Sequence, residues 1–382
     1  MSKTDFHIVI VDPGSISSRE GVLYLPERSY LGYKAYKDYL ESVSQHITFS
    51  VVALEGIVPA GGSSVDHLHP FEPSTINLVT EDAATYLRNI APGATVHALY
   101  KDSTRFLVDL PHRVVYLVEF TPGIRRAIYR AHMTGGFWKK AVIDFSLMRK
   151  EYQDRRFLRR ASALQFNGSP AAQHYRRLTK SSIVFFDHRV DSLPEPNPSK
   201  YGSDREFNIG FSGRLDPMKG SRYLAYISQK LYKTNPFIKF YIMGDGSDRS
   251  DILERSAPNL IYKGFMEYRA QWVPFVQKNI SVMVLPHVQG DPSMTYFESL
   301  GQGVPVVAFE NETSTFLNQE GVGWTVPRAD VDALVEILNH LALNRDEVGR
   351  KSEAALRFMS SHLYTKTVAR RMDHLISISQ KA

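Results

Sequence analysis

Arg214, Lys219 and Glu298 stand in two short glycine-bearing segments, GFSGRLDPMKG at 210–220 and GDPSMTYFESLGQGVPVV at 290–307. Each segment sets a loop of small residues between a strand-like apolar run and a helix-like stretch. A helix start gathers backbone N–H groups that have no partner one turn earlier, and such groups bind phosphate well. Gly213 lets the backbone approach a ligand closely, Arg214 can fork onto phosphate oxygens, and Lys219 adds a mobile point charge. Glu298, one turn inside its helix, can accept from two vicinal hydroxyls at once. Taken separately, Arg214 and Lys219 could be solvated turn residues and Glu298 a helix-surface carboxylate. Two such loops about 80 residues apart are much more specific than one. Together they suit a nucleoside diphosphate with its ribose, as in an activated sugar nucleotide.

Other candidates stand at strand ends. The run FYIMG carries Gly244 into a turn at Asp245–Asp248, and NLIYKGF ends at Gly264 and Phe265. A heterocyclic base could lie there against Tyr262 or Phe265, although either ring could equally belong to the core. After SVMVLP come His287, Gly290, Asp291 and Pro292. Pro292 suits the first turn of the next helix, which puts the amides of Ser293, Met294 and Thr295 among its unpaired donors. Gly301 and Gly303 end that helix, and Pro305 leads into VVAF.

The elements that must hold these residues alternate along the chain. HIVIV at 7–11, Phe49–Leu54 and VVYLVEF at 114–120 read as buried parallel strands, with helix-length segments at 30–44 and 124–134. Alternating Pro194, Pro196 and Pro198 favour extended backbone and mark 191–205 as a linker. Beyond it, runs at 208–212, 238–243, 260–263, 281–285 and 304–309 restart the alternation. The expected fold class is α/β, two doubly wound Rossmann-like domains facing across a cleft. Residues 1–190 form the first domain and 206–365 the second, with 366–382 a C-terminal helix packing back on the first.

Composition sets outer limits. A chain of 382 residues, 43% hydrophobic and 23% charged, suits two globular domains. Zero cysteines exclude disulfides and cysteine-ligated metal and fit a reducing compartment. No signal-peptide pattern opens the chain, and no apolar run reaches the length of a membrane span; a cytoplasmic location is expected. Between Lys101 and Val190 stand 18 Lys or Arg against 7 Asp or Glu. These are either solvated helix faces or a surface for anionic membrane, with Phe137 and Trp138 beside Lys139 and Lys140 at an interfacial position. No nucleic-acid-binding signature accompanies the charge. His67 and His69 lack a clear third ligand, so a loop is the better reading than a metal site.

GRLDPMKG, the GDGSDR turn, the glycine before Phe265 and MTYFESLGQGVPVV resemble the donor-binding half of family 4 glycosyltransferases of the GT-B fold. The resemblance is specific over about 208–326 and rests on architecture over the first 190 residues. It implies transfer of a hexose-type sugar from a nucleotide-diphosphate donor, with retention and without a metal, cofactors being none. Arg214 and Lys219 match the family's diphosphate-binding pair, and Glu298 matches the ribose-holding member of its paired glutamates. The sugar-contacting glutamate belongs eight positions earlier, where this chain has Gly290. Asp291 takes that role after a one-residue shift, or backbone alone holds the sugar, or the machinery has decayed.

In the first half, Glu119 stands where many relatives have a histidine. It could bond a substrate hydroxyl or cap the following helix. Gly14 and Ser15 lie where the family often has a glycine-rich loop, on the acceptor side. The acceptor implied is a glycan or lipid-linked species near a membrane, as in surface polysaccharide assembly. The alternatives are a catalytically silent nucleotide-sugar-binding subunit and a GT-B sugar-nucleotide epimerase.

Overall fold

The computed structural model describes residues 5–13, 16–20, 22–59, 68–132, 137–202 and 206–381. Contacts divide the chain into two compact units. The first comprises Met1–Glu119, Arg149–Phe185 and Thr365–Ala382, the second Phe120–Met148 and Phe186–Tyr364. Residues 120–148, assigned with the first domain from sequence, therefore group with the second unit.

Seventeen strands are described. In the first unit β1 (Phe6–Asp12), β4 (Ile47–Ala53), β7 (Leu78–Val79), β8 (Thr95–Leu99), β9 (Arg113–Val118), β10 (Ala163–Asn167) and β11 (Ser182–Phe185) form one sheet. Its order is β11-β10-β9-β8-β1-β4-β7, with parallel pairing throughout. The apolar runs read from sequence become its central strands, because a sheet covered on both faces needs apolar residues at successive positions. A second sheet was not foreseen: β2 (Ser17–Arg19), β3 (Val22–Pro26), β5 (Val58–Pro59) and β6 (Leu68–Phe71), in the order β5-β2-β3-β6. These strands, of two to five residues, are too short to show a period. The last helix, Tyr364–Ser379, belongs mostly to this unit, where Arg371 Nε donates to Gln165 Oε1 at 3.0 Å and its guanidinium stacks on Phe185.

The second unit holds β12 (Asn208–Ser212), β13 (Lys239–Met243), β14 (Leu260–Gly264), β15 (Val282–Leu285), β16 (Val306–Phe309) and β17 (Gly323–Val326), all parallel, in the order β14-β13-β12-β15-β16-β17. Alternate residues supply two cores. Val282, Val284, Val307 and Phe309 pack with the helices Leu224–Thr234 and Val331–Leu343. Met283, Leu285, Val306 and Ala308 pack with Val273–Asn279, Met294–Gly301 and Arg345–Ser360. Side chains two apart share a face, so four consecutive apolar residues bury both faces of one strand. The chain leaves β12 in one direction towards β13 and in the other towards β15, and such a reversal opens a crevice at the carboxyl ends of the two strands. Of the proline-rich segment, residues 198–201 form a 3₁₀ turn whose buried Tyr201 hydroxyl donates to the Gly303 carbonyl at 2.8 Å. Among the described residues no helix is long and apolar enough to cross a membrane.

Candidate active site

The loops after β12 and β15 flank this reversal, so the two segments singled out by their chemistry meet where the topology leaves room. Gly213, Gly244 and Gly264 stand at the carboxyl ends of three adjacent strands. The Gly213 amide donates to Met243 at 3.0 Å and the Gly244 amide to Gly264 at 2.8 Å. Gly244 has φ 139°, and a Cβ there would fall 2.0 Å from the Gly213 carbonyl oxygen, so only glycine fits. The turn at 245–248 braces the first loop: Leu215 donates to Asp245 at 2.9 Å and accepts from Asp248 at 3.0 Å.

Arg214 extends into solvent, its side chain 70% exposed, with Asp216 at 3.4 Å. Asp216 also accepts from the Lys219 amide at 3.2 Å, capping the short turn at 217–219. Lys219 has a different environment. It is buried, and its Nζ lies 2.8 Å from Asp291 Oδ2. Gln289 Nε2 donates to Asp291 Oδ1 at 2.6 Å, and the Asp291 amide donates back to Gln289 Oε1 at 2.5 Å. Burial pushes the Asp291 carboxyl up, but Lys219, His287 and these hydrogen bonds outweigh it and hold the group below its ordinary value. His287 is buried beside the pair and neither ring nitrogen has a partner among the described residues. Burial first, and Lys219 second, bring its pKa down to about 3.

The helix of the second loop begins at Met294, with Ser293 as its N-cap. Pro292, expected inside the first turn, precedes the cap, and the Ser293 amide donates to the Asp291 carbonyl at 2.8 Å. That leaves Met294 and Thr295 as the first helical amides, two donors rather than three. Glu298 is buried on this helix, but its carboxylate is held by a residue that sequence reading missed: Arg189 Nε donates to Oε1 at 2.7 Å and Nη2 to Oε2 at 3.3 Å. The Arg189 guanidinium in turn lies 3.9 Å over the Tyr268 ring. Arg189 and Glu298 are 109 residues apart, and no local pattern announces such a pair. Two of the roughly four acceptor positions of a carboxylate are thereby engaged.

Packing gives Gly290 a physical reason. A Cβ there would lie 2.8 Å from the Glu312 Cβ and 3.1 Å from the amides of Glu312 and Thr313. No side chain fits at 290, because the loop after β16 already fills that space. Glu312 itself is exposed, and its carboxylate accepts from Thr121 Oγ1 at 2.6 Å. Thr121, not Glu119, caps the helix Pro122–His132, accepting from the Ile124 amide at 3.1 Å. Glu119 instead accepts from Asn167 Nδ2 at 3.0 Å. Phe265 is 71% exposed while Tyr262 packs against the core. His69 stacks on Tyr30. Gly14, Ser15 and His67 lie outside the described residues.

Residues 206–344 match the sequence profile of the family described as glycosyl transferases group 1. No curated protein sequence matches the chain. Several solved structures share its fold. Anabaena HepE, solved with UDP, is 14% identical with a TM-score of 0.65, covering 97% of this chain and 99% of that one. Sucrose-phosphate synthase of Thermosynechococcus elongatus is 14% identical at TM-score 0.65, covering 97% and 98%. A glycosyltransferase of Rickettsia africae is 12% identical at TM-score 0.62, covering 99% and 100%.

Proposed function

From a chain that is a glycosyltransferase of the GT-B fold, with a group 1 match over 206–344, we propose that it transfers a hexose-type sugar from a nucleotide-diphosphate donor. The acceptor is a glycan or lipid-linked species, and the transfer proceeds with retention and without a metal ion. The observation that carries this reading is the junction of the two loops at Lys219 and Asp291. It sets Arg214, Lys219 and the start of the helix Met294–Gly301 around one reversal of strand order. As the glycosidic bond lengthens, the departing diphosphate gathers negative charge. Lys219 and the Met294 and Thr295 amides offset it from fixed positions, and the exposed Arg214 adds its charge. Glu298, steadied by Arg189, takes the ribose hydroxyls. Asp291, next to Gly290, is the carboxylate offered to the sugar. HepE was also solved with UDP-glucose, which supports a uridine donor here.

Membrane contact forms part of the same reading. On the helix Phe137–Leu158, Val142, Phe145, Met148 and Tyr152 are each at least 67% exposed, whereas Asp154 is buried. Arg149, Arg156 and Arg159 fall on the apolar side by helical spacing, an arrangement suited to an anionic lipid surface at the cytoplasmic face. Calorimetry with UDP-, GDP- and dTDP-sugars, followed by assay of released nucleotide with candidate acceptors, tests the donor half. Failure of every sugar nucleotide to bind would end the proposal.

A further inference from the structure

A second cavity, of about 590 Å³, lies within the second unit. Three elements wall it: the helix Pro122–His132, residues 222–230 around the start of the helix Leu224–Thr234, and the segment 328–331 before the helix Val331–Leu343. Its lining holds Arg126, Arg130, Arg222, Lys230 and Arg328 and, among the described residues, no acidic one. The remaining wall is aromatic and aliphatic, with Tyr223, Tyr226, Val288 and Val331 prominent. The volume is that of a small-molecule site.

The carboxylates that serve these cations stand outside the lining. Asp144 accepts from Arg130 Nη2 at 3.1 Å. It also stands 2.9 Å from Arg126 Nε, which makes no hydrogen bond among the described residues. Arg222 is 4.0 Å from Asp248, at the limit of an ion pair, and Lys230 pairs with Asp332. Arg328 Nε donates to the Glu310 carbonyl at 3.3 Å, a neutral partner. Asp144, Asp248 and Asp332 thus pair with four of the five cations, and the Glu312 carboxylate lies against Gly123 on the lining; five cations against four carboxylates leave the wall with a net positive charge. Ala329, also on the lining, has left-handed backbone at φ 65°.

We infer that this cavity binds the phosphate or diphosphate group of the acceptor, its apolar wall taking the group esterified to it. Guanidinium forks suit phosphate oxygens, and Tyr226, with Arg255 over one side of its ring, and Tyr223, packed on Phe309, add aromatic surface for an apolar chain or a sugar ring. Two lining residues place it beside the transfer site: Pro217 is two residues from Lys219, and Val288 is three from Asp291. That the bound anion belongs to an acceptor rests on the transferase reading; anion binding itself does not.

Calorimetric titration of the full chain with pyrophosphate and with farnesyl diphosphate tests it. Three variants are compared with the parent: R126Q/R328Q, R222Q alone, and R214A at the proposed donor site. The double variant should weaken binding of farnesyl diphosphate at least tenfold and R222Q by about threefold, whereas R214A should still bind it within threefold of the parent; pyrophosphate, which also suits the clamp at Arg214 and Lys219, should keep a second class of binding in the double variant. Farnesyl diphosphate binding tenfold tighter than pyrophosphate assigns the site to a lipid-linked anion. Equal affinity assigns it to the phosphate group alone. Parent-like binding of farnesyl diphosphate in R126Q/R328Q, with its unfolding temperature unchanged, overturns the inference, as does loss of all binding in R214A. Because sugar-nucleotide turnover is measured separately, failure of the transferase reading would leave the cavity result standing.

Discussion

Asp291→Asn isolates the contact that joins the two loops. Lys219 and Asp291 are side chains only 10% and 16% exposed, 2.8 Å apart. Removing one member of a buried pair costs about 3–5 kcal/mol when the other charge is stranded. Asparagine keeps the shape and can still accept from Lys219, so the loss expected is about 2–3 kcal/mol. For a unit of about 200 residues, at roughly 2–4 °C per kcal/mol, unfolding should fall by roughly 4–12 °C. Nucleotide binding should move the other way. Two groups bonded to one ammonium lie about 5–6 Å apart, and a carboxylate at that distance repels a phosphate charge by roughly 3 kcal/mol at an effective dielectric of 20. Solvent and counterions screen part of this, which leaves about 1.4 kcal/mol, a tenfold tighter UDP complex. If Asp291 also touches the sugar, transfer falls even though UDP binds more tightly. Thermal unfolding with and without UDP, calorimetry and a turnover assay read the three quantities. Parent-like stability together with parent-like UDP affinity would refute a charged Lys219–Asp291 pair shared with the donor.

Arg214→Ala removes an exposed side chain, so stability should change by less than about 0.5 kcal/mol while transfer falls on the order of 100-fold; wild-type turnover would reject its role. Gly290→Ala should cost about 1–3 kcal/mol through overpacking against Glu312, and the double change G290A/E312G should recover most of it in denaturant unfolding. His287 contributes an acid-labile term. Unfolded, the ring takes a proton near 6.5, whereas folded it does so only near pH 3. The unfolded state therefore binds more protons between these values, and stability drops as pH falls through that window, by at most about 1.4 kcal/mol per unit. H287L should flatten the stability profile between pH 6 and 4; an unchanged slope would show that the ring is not buried neutral.

Local chemistry made much of the second unit legible. Apolar runs flanked by glycine and proline located β12, β13, β14, β15 and β16 to within two residues, because a strand buried on both faces leaves no choice of residue type. Arg214, Lys219 and Glu298 stood out because each lies near a helix start or a strand end. Pro292 was misplaced by two positions relative to the helix, since proline suits the residues just before a cap nearly as well as the first turn. The small sheet β5-β2-β3-β6 has strands of two to five residues, too few for a period to register.

The amino-acid sequence by itself determined the α/β class, the two phosphate-suited loops and the cations they carry, since these depend on residues close together in the chain. Only the tertiary structure decided what those residues touch. Arg189 reaches Glu298 across 109 positions, Lys219 reaches Asp291 across 72, and Glu312 occupies the space beside Gly290. Each of these contacts depends on which strands the sheet places side by side, and strand order comes from the packing of the whole unit, not from any local run of residues.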